Sequence, residues 1–141
     1  MITTIYNNQK DLPLSIANIK LMVPFLLRTL KISTDEVILH FVTKSAIGKV
    51  HDSFFSDPSP TDCISFPLDD SILGEVFVCP QVAIEYANKR NLDPYQETTL
   101  YIIHGLLHLL GYDDCEPQER RRMRAAERRA LQRLEQLKIS L

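Results

Sequence analysis

Two histidines, His104 and His108, stand four residues apart in the run His104-Gly105-Leu106-Leu107-His108-Leu109-Leu110-Gly111-Tyr112-Asp113-Asp114. On a helix that spacing puts both imidazoles on one face, one turn above the other, where they can share a metal ion. Their neighbours are apolar, and a buried helix has no evident reason to carry two unpaired polar rings, because each costs free energy. Gly111 lets the chain turn directly after the second histidine. Asp114, six residues beyond His108, can then return to the same ion.

The pattern H-x3-H-x2-G-x2-D has the spacing of the metzincin metal site, which normally ends in histidine. A carboxylate oxygen is also an acceptable zinc ligand. Three protein ligands, His104, His108 and Asp114, leave one coordination position open for a water to be activated, as in catalytic rather than structural zinc sites. The expected cofactor is one Zn2+ per chain. Zinc peptidases of this kind place a glutamate base directly after the first histidine. Here that residue is Gly105, so proteolysis is not expected.

The elements that must position these residues follow from periodicity and punctuation. Ile2–Tyr6, Val37–Val42, Cys63–Phe66 and Gly74–Cys79 read as strands. Leu68–Leu73 is expected to be a polar connection holding Asp69 and Asp70. Leu12–Leu30 has helical spacing, with Pro24 inside it as a point of bending or breaking. Lys44–Phe55 reads as a marginal helix with Ile47 and Val50 facing inward, and Pro80 opens another that runs to Lys89. Asp93-Pro94, with Gln96 at the third helical position, starts the histidine helix, and Gly111 ends it. That helix is apolar nearly all round and belongs in the middle of the fold. Glu116 and Pro117 open a last helix with a stripe of Met123, Ala126, Ala130, Leu134 and Leu137. The expected architecture is α+β, a small mixed sheet of about four strands packed with four to five helices around a central metal-binding helix.

The 141 residues suit one domain, 1–141, able to bury a core without staples, and 45% hydrophobic with 24% charged residues is an ordinary globular balance. Cys63, Cys79 and Cys115 are odd in number and form no CxxC pair, so free thiols in a reducing compartment are expected. Met1–Asp11 does not read as a signal peptide, and Leu100–Leu110 is too short to span a bilayer. The expected location is cytoplasmic. The net charge of −2 speaks against a general nucleic-acid binder, but Cys115–Leu141 carries eight Arg or Lys against four Glu. A basic tail on an acidic body can contact phosphate, although a solvated amphipathic helix accounts for the same pattern.

At these residues the sequence resembles the YbeY family of bacterial endoribonucleases, also called rRNA maturation factors. Thr61-Asp62-Cys63-Ile64-Ser65-Phe66-Pro67 is similar to the family's TDVLSFP segment, and Gly74-Glu75-Val76-Phe77-Val78-Cys79-Pro80 to its GDIVICP segment. His104 to Asp114 is similar to the HGxLHLxGYDH signature, and the blocks span residues 36 to 130 in the family's order. The resemblance implies a zincin-like fold, a zinc-bound site, single-stranded RNA as substrate, and work on ribosomal RNA and the ribosomal subunit in maturation or quality control. His104 and His108 match the first two metal ligands.

Two departures stand out. The third ligand is usually histidine, whereas Asp114 is harder and negative, which shifts preference away from zinc and admits another divalent metal. Asp113 and Cys115 are rival third ligands, with Asp114 favoured by spacing. An arginine that many members carry before TDVLSFP aligns with Phe55, and no Arg or Lys lies between Val50 and Asn88. Its absence puts catalytic efficiency in question, since an arginine there could stabilise charge on a cleaved phosphate.

The remaining candidates are weaker. The catalytic group is expected to be the metal-bound water, with Asp62 and Ser65 near it if the preceding strand ends there; a turn role for Asp62 and a plain strand role for Ser65 are the simpler readings. Glu97 lies on the histidine side of its helix, as a partner for a ligand or as an exposed first-turn acid. His51 reads as a surface residue and His40 as packing. Two alternatives stand beside the nuclease: a ribosome-associated binding factor with a structural metal, and a metal hydrolase of another substrate.

Overall fold

The structure, a computed structural model, describes residues 1–69 and 71–141. Asp70, read above as part of a polar connection, lies outside the described residues. Four strands, β1 (Ile2–Asn8), β2 (Glu36–Val42), β3 (Cys63–Pro67) and β4 (Ile72–Val78), form one mixed sheet in the order β1-β2-β4-β3. β1, β2 and β4 are parallel, and β3 pairs antiparallel with β4 as an edge strand, with Ser65 opposite Val76. Five helices accompany them: α1 (Ile16–Thr29), α2 (Lys44–Phe55), α3 (Pro80–Arg90), α4 (Pro94–Leu109) and α5 (Pro117–Gln136). This is the α+β arrangement expected, with the histidine helix across the sheet. No helix among the described residues is long and apolar enough to cross a membrane.

Alternation in β2 separates the two faces of the sheet. Val37, Leu39 and Phe41 are fully buried with Val76 and Val78 against α1, α4 and α5. Each such side chain contributes roughly 1.5–3 kcal/mol by leaving water. On the other face α2 covers a smaller cluster of Val42, Ile47, Ile64 and Cys79, with Val50 packed at its margin. Beyond α2, His40 stacks between Tyr6 and Phe77 and bonds Glu75 Oε1 at 3.0 Å, so it is a packing residue. His51 bonds the Ser59 carbonyl at 2.9 Å and so tethers the loop before β3.

Several boundaries differ from the sequence reading for identifiable reasons. α1 starts at Ile16, not Leu12, because the Gln9 amide clips both backbone groups of Leu12 and Ser15 caps the helix by accepting from the Asn18 N–H. The helix also continues through Pro24. Ile19, Met22, Val23, Leu26 and Leu27 are buried along it, and that packing outweighs the one lost backbone bond. β4 begins two residues before Gly74, since Asp69 Oδ1 accepts from the Ser71 and Ile72 N–H groups and closes the turn early. Leu137 is 50% exposed and leaves the predicted stripe of α5, because the helix ends at Gln136.

Candidate metal centre

α4 begins where Asp93 accepts from the Tyr95 N–H at 2.9 Å and Pro94 supplies the first helical position. It ends in a Schellman turn. Gly111 N–H donates to the His108 carbonyl (3.0 Å) and Tyr112 N–H to the Leu107 carbonyl (3.1 Å). Gly111 adopts φ +93°, a left-handed conformation that favours glycine. This turn brings the 112–115 segment back over the last turn of α4.

The turn also orients a ring: His108 Nδ1 donates to the Tyr112 carbonyl at 3.0 Å. His104 Nδ1 lies 3.1 Å from Glu127 Oε1 on α5. With both Nδ1 atoms engaged, both Nε2 atoms converge, 3.0 Å apart. Asp114 Oδ2 completes a triangle, 3.6 Å from His104 Nε2 and 3.7 Å from His108 Nε2. A tetrahedral zinc site with bonds of about 2.0–2.1 Å has ligand–ligand edges of about 3.3 Å. The observed edges bracket that value, so these two imidazoles and one carboxylate fit a small divalent ion.

The rival ligands are placed differently. Asp113 Oδ1 accepts from the Asp114 N–H at 2.8 Å, and backbone hydrogen bonds hold its carboxyl below the usual range. A hydrogen bond to Asp113 pushes the Cys115 thiol up, away from the thiolate a metal needs. Asp113, Asp114 and Cys115 do form a second tight group, but all three are exposed and no histidine belongs to it.

Burial alone would lower the pKa of His104. The hydrogen bond and charge of Glu127, with the charges of Asp62 and Asp114, outweigh that and raise it. Glu127 is only 13% exposed and twenty-three residues from His104 in sequence. The sequence reading missed it. Its one visible signal is its place beside the buried stripe of α5, three residues before Ala130 and four after Met123. Glu97, the partner considered instead, neighbours the Tyr101 hydroxyl, and burial raises its carboxyl.

Gly105 has a packing reason. A Cβ there would meet Val76 Cγ1 at 2.4 Å, so α4 lies directly on the central strand β4. No glutamate fits after His104. The Ser65 hydroxyl donates to the Gly105 carbonyl at 2.8 Å, tying edge strand β3 to α4. Asp62 Oδ1 accepts from the Cys63 N–H at 2.7 Å, a turn role, while its charge still bears on His104. Burial, then the charges of Asp62, Glu127 and Asp114, drive the Cys63 thiol well up. Phe55 is 56% exposed and packs near Phe66, so no cation stands there.

Comparison with known proteins agrees over nearly the whole chain. The profile of the family described as Endoribonuclease YbeY matches residues 4–135. The chain is 48% identical over 139 residues to Endoribonuclease YbeY of Protochlamydia amoebophila (strain UWE25), covering 94% of this chain and 93% of that one. It is 42% identical over 135 residues to Endoribonuclease YbeY of Chlamydia felis (strain Fe/C-56), covering 89% and 85%. Among solved structures, the solution structure of TM1509 from Thermotoga maritima superposes with a TM-score of 0.70 at 25% identity, covering 92% of this chain and 87% of that one.

Proposed function

This chain belongs to the endoribonuclease YbeY family, and we propose that it cleaves single-stranded RNA at one divalent metal ion held by His104, His108 and Asp114. Its natural substrate is ribosomal RNA in the ribosomal subunit, cut in the cytoplasm during maturation or quality control, with residues 1–141 acting as one hydrolase domain. Zinc is the ion we assign. The observation that carries this reading is the convergence of two Nε2 atoms and Asp114 Oδ2 with edges of 3.0–3.7 Å.

A bound divalent ion supplies Lewis acidity toward a phosphate oxygen and a water. The chain's own residues prepare the site. Glu127 and the Tyr112 carbonyl hold the two rings in the tautomer that presents Nε2. Asp114, with its side chain 44% exposed, forms the solvent rim and leaves an approach for the RNA strand. Ser65 and Asp62 are committed to the backbone contacts described above and act as positioning residues for β3. Gly105 leaves no space for a peptidase-type base, which supports RNA over a peptide bond as the target.

The test is elemental analysis beside cleavage of unstructured RNA, for wild type, His108→Ala and Asp114→Ala. One ion per chain and cleavage in wild type, both lost in the variants, is the expected result. Metal retained in Asp114→Ala would move the third ligand. Phe55 at the aligned arginine position favours one second reading, a ribosome-binding factor with a structural metal. That reading predicts ribosome association with no cleavage in wild type.

A further inference from the structure

The site has more negative charge than one divalent ion offsets. Asp62, Asp114 and Glu127 all bear on His104, a formal −3. RNA brings further negative charge, and Phe55 offers it no cation. A phosphate strand therefore needs cations from another element, and α5 alone carries seven arginines.

Those arginines are not used in the way surface arginines usually are. None lies within ion-pair distance of a carboxylate among the described residues. Arg120, Arg124 and Arg128 follow one another at i, i+4, i+8, so like charges stack on one side of the helix, a spacing that costs helix stability. Two contacts pin this side of α5 to the metal centre. Arg120 Nη1 donates to the Cys115 carbonyl at 2.9 Å, behind the Asp114 ligand. Glu127 holds His104. Arg124 stands one turn after Arg120 and three residues before Glu127, between the two contacts, and it is exposed. Arg128 continues the row and is also exposed. Arg129 and Arg133 lie on the opposite flank, where they line a groove with Thr29 and Leu30 of the α1 end, while Arg122 lines a cavity with Tyr112 and Asp113 of the ligand loop.

We propose that Arg124 and Arg128 bind the phosphates of the RNA strand beside the metal centre, supplying from α5 the cation that Phe55 does not. This rests on the endoribonuclease reading and adds the strand's path: along the α5 side of the site, with Arg120 anchoring the Asp114 loop.

The experiment compares Arg124→Gln/Arg128→Gln with Arg129→Gln/Arg133→Gln, which removes the same charge from the other flank. Binding of a 2′-O-methylated oligouridine to the metal-loaded protein is measured against salt, and cleavage of unmodified oligouridine beside it. Each lost single-strand phosphate contact reduces the slope of log K against log salt by roughly 0.7, so two give about 1.4, or roughly 25-fold weaker binding at 0.1 M salt that closes toward 1 M. The site-side pair is expected to show this with raised KM, and the opposite pair to keep the wild-type slope. Equal loss in both pairs, or none in the site-side pair while wild type cleaves, overturns the inference alone. A metal-loaded wild type that neither binds nor cleaves overturns the endoribonuclease reading, and this inference with it.

Discussion

Replacing Glu127 by glutamine tests whether His104 is prepared for a metal by a residue on another helix. Gln keeps the side chain's shape and a carbonyl oxygen near His104 Nδ1, now 3.1 Å from Glu127 Oε1. It removes the charge. A hydrogen bond to a charged group contributes about 1.5–3 kcal/mol and a neutral one about 0.5–1.5, a difference of about 1–1.5 kcal/mol. Both partners are mostly shielded, at 13% and 21% exposure, so little of that difference is lost to solvent screening. Zinc affinity should therefore fall about tenfold in Glu127→Gln. In Glu127→Ala the ring also loses its tether, and the loss should approach the upper end of the roughly 10–100-fold range for such partners. Competition with a chromophoric chelator measures this, with circular dichroism to establish that each variant is folded. His108 keeps its own tether to Tyr112 in both. Wild-type affinity in folded Glu127→Gln and Glu127→Ala alike would refute the reasoning.

Three further outcomes are expected. Gly105→Ala should lower stability by about 1–3 kcal/mol through overpacking against Val76, although alanine is otherwise the better helix former. For a chain this long that is a fall of about 3–10 °C in Tm, and a rise on a thermal melt would contradict the close approach. In the metal-free protein, NMR titration should find His104 above the ordinary 6.5, and lower in Glu127→Gln, where burial is opposed by less negative charge. Because the folded-state pKa is the raised one, its stabilisation is full below about 6.5 and lost as pH rises through the raised value; metal-free wild type should lose Tm relative to Glu127→Gln over that window. Asp114→His should keep one ion per chain and shift selectivity toward zinc over manganese in competition, whereas Asp113→Ala should leave loading unchanged. Manganese preference unchanged in Asp114→His would argue against Asp114 as a ligand.

Much of this protein was legible in one dimension because the signals are local. The i, i+4 spacing of His104 and His108, the glycine that stops their helix and the acid six residues on all act within a few turns of chain, where geometry follows directly from sequence. The same holds for Asp93-Pro94 as a helix start and for the alternation in β2. Boundaries failed where a side chain or packing overrode propensity. The Gln9 clip shortened α1, buried contacts carried it through Pro24, and Leu137 lay just past the end of α5.

Contacts between distant segments were not legible. Glu127 reads in the sequence as one acid in an arginine-rich helix, and only the packing of α5 beside α4 brings it to His104. Gly105 reads as a missing base until Val76 appears beneath it. Spacing favoured Asp114 over Asp113, but only the Schellman turn in three dimensions shows the Asp114 carboxylate 3.6–3.7 Å from both rings. Residue types and their local periods specified the chemistry and the elements. The tertiary structure decided the partners, because electrostatic and steric contacts depend on distances across elements that no local pattern encodes.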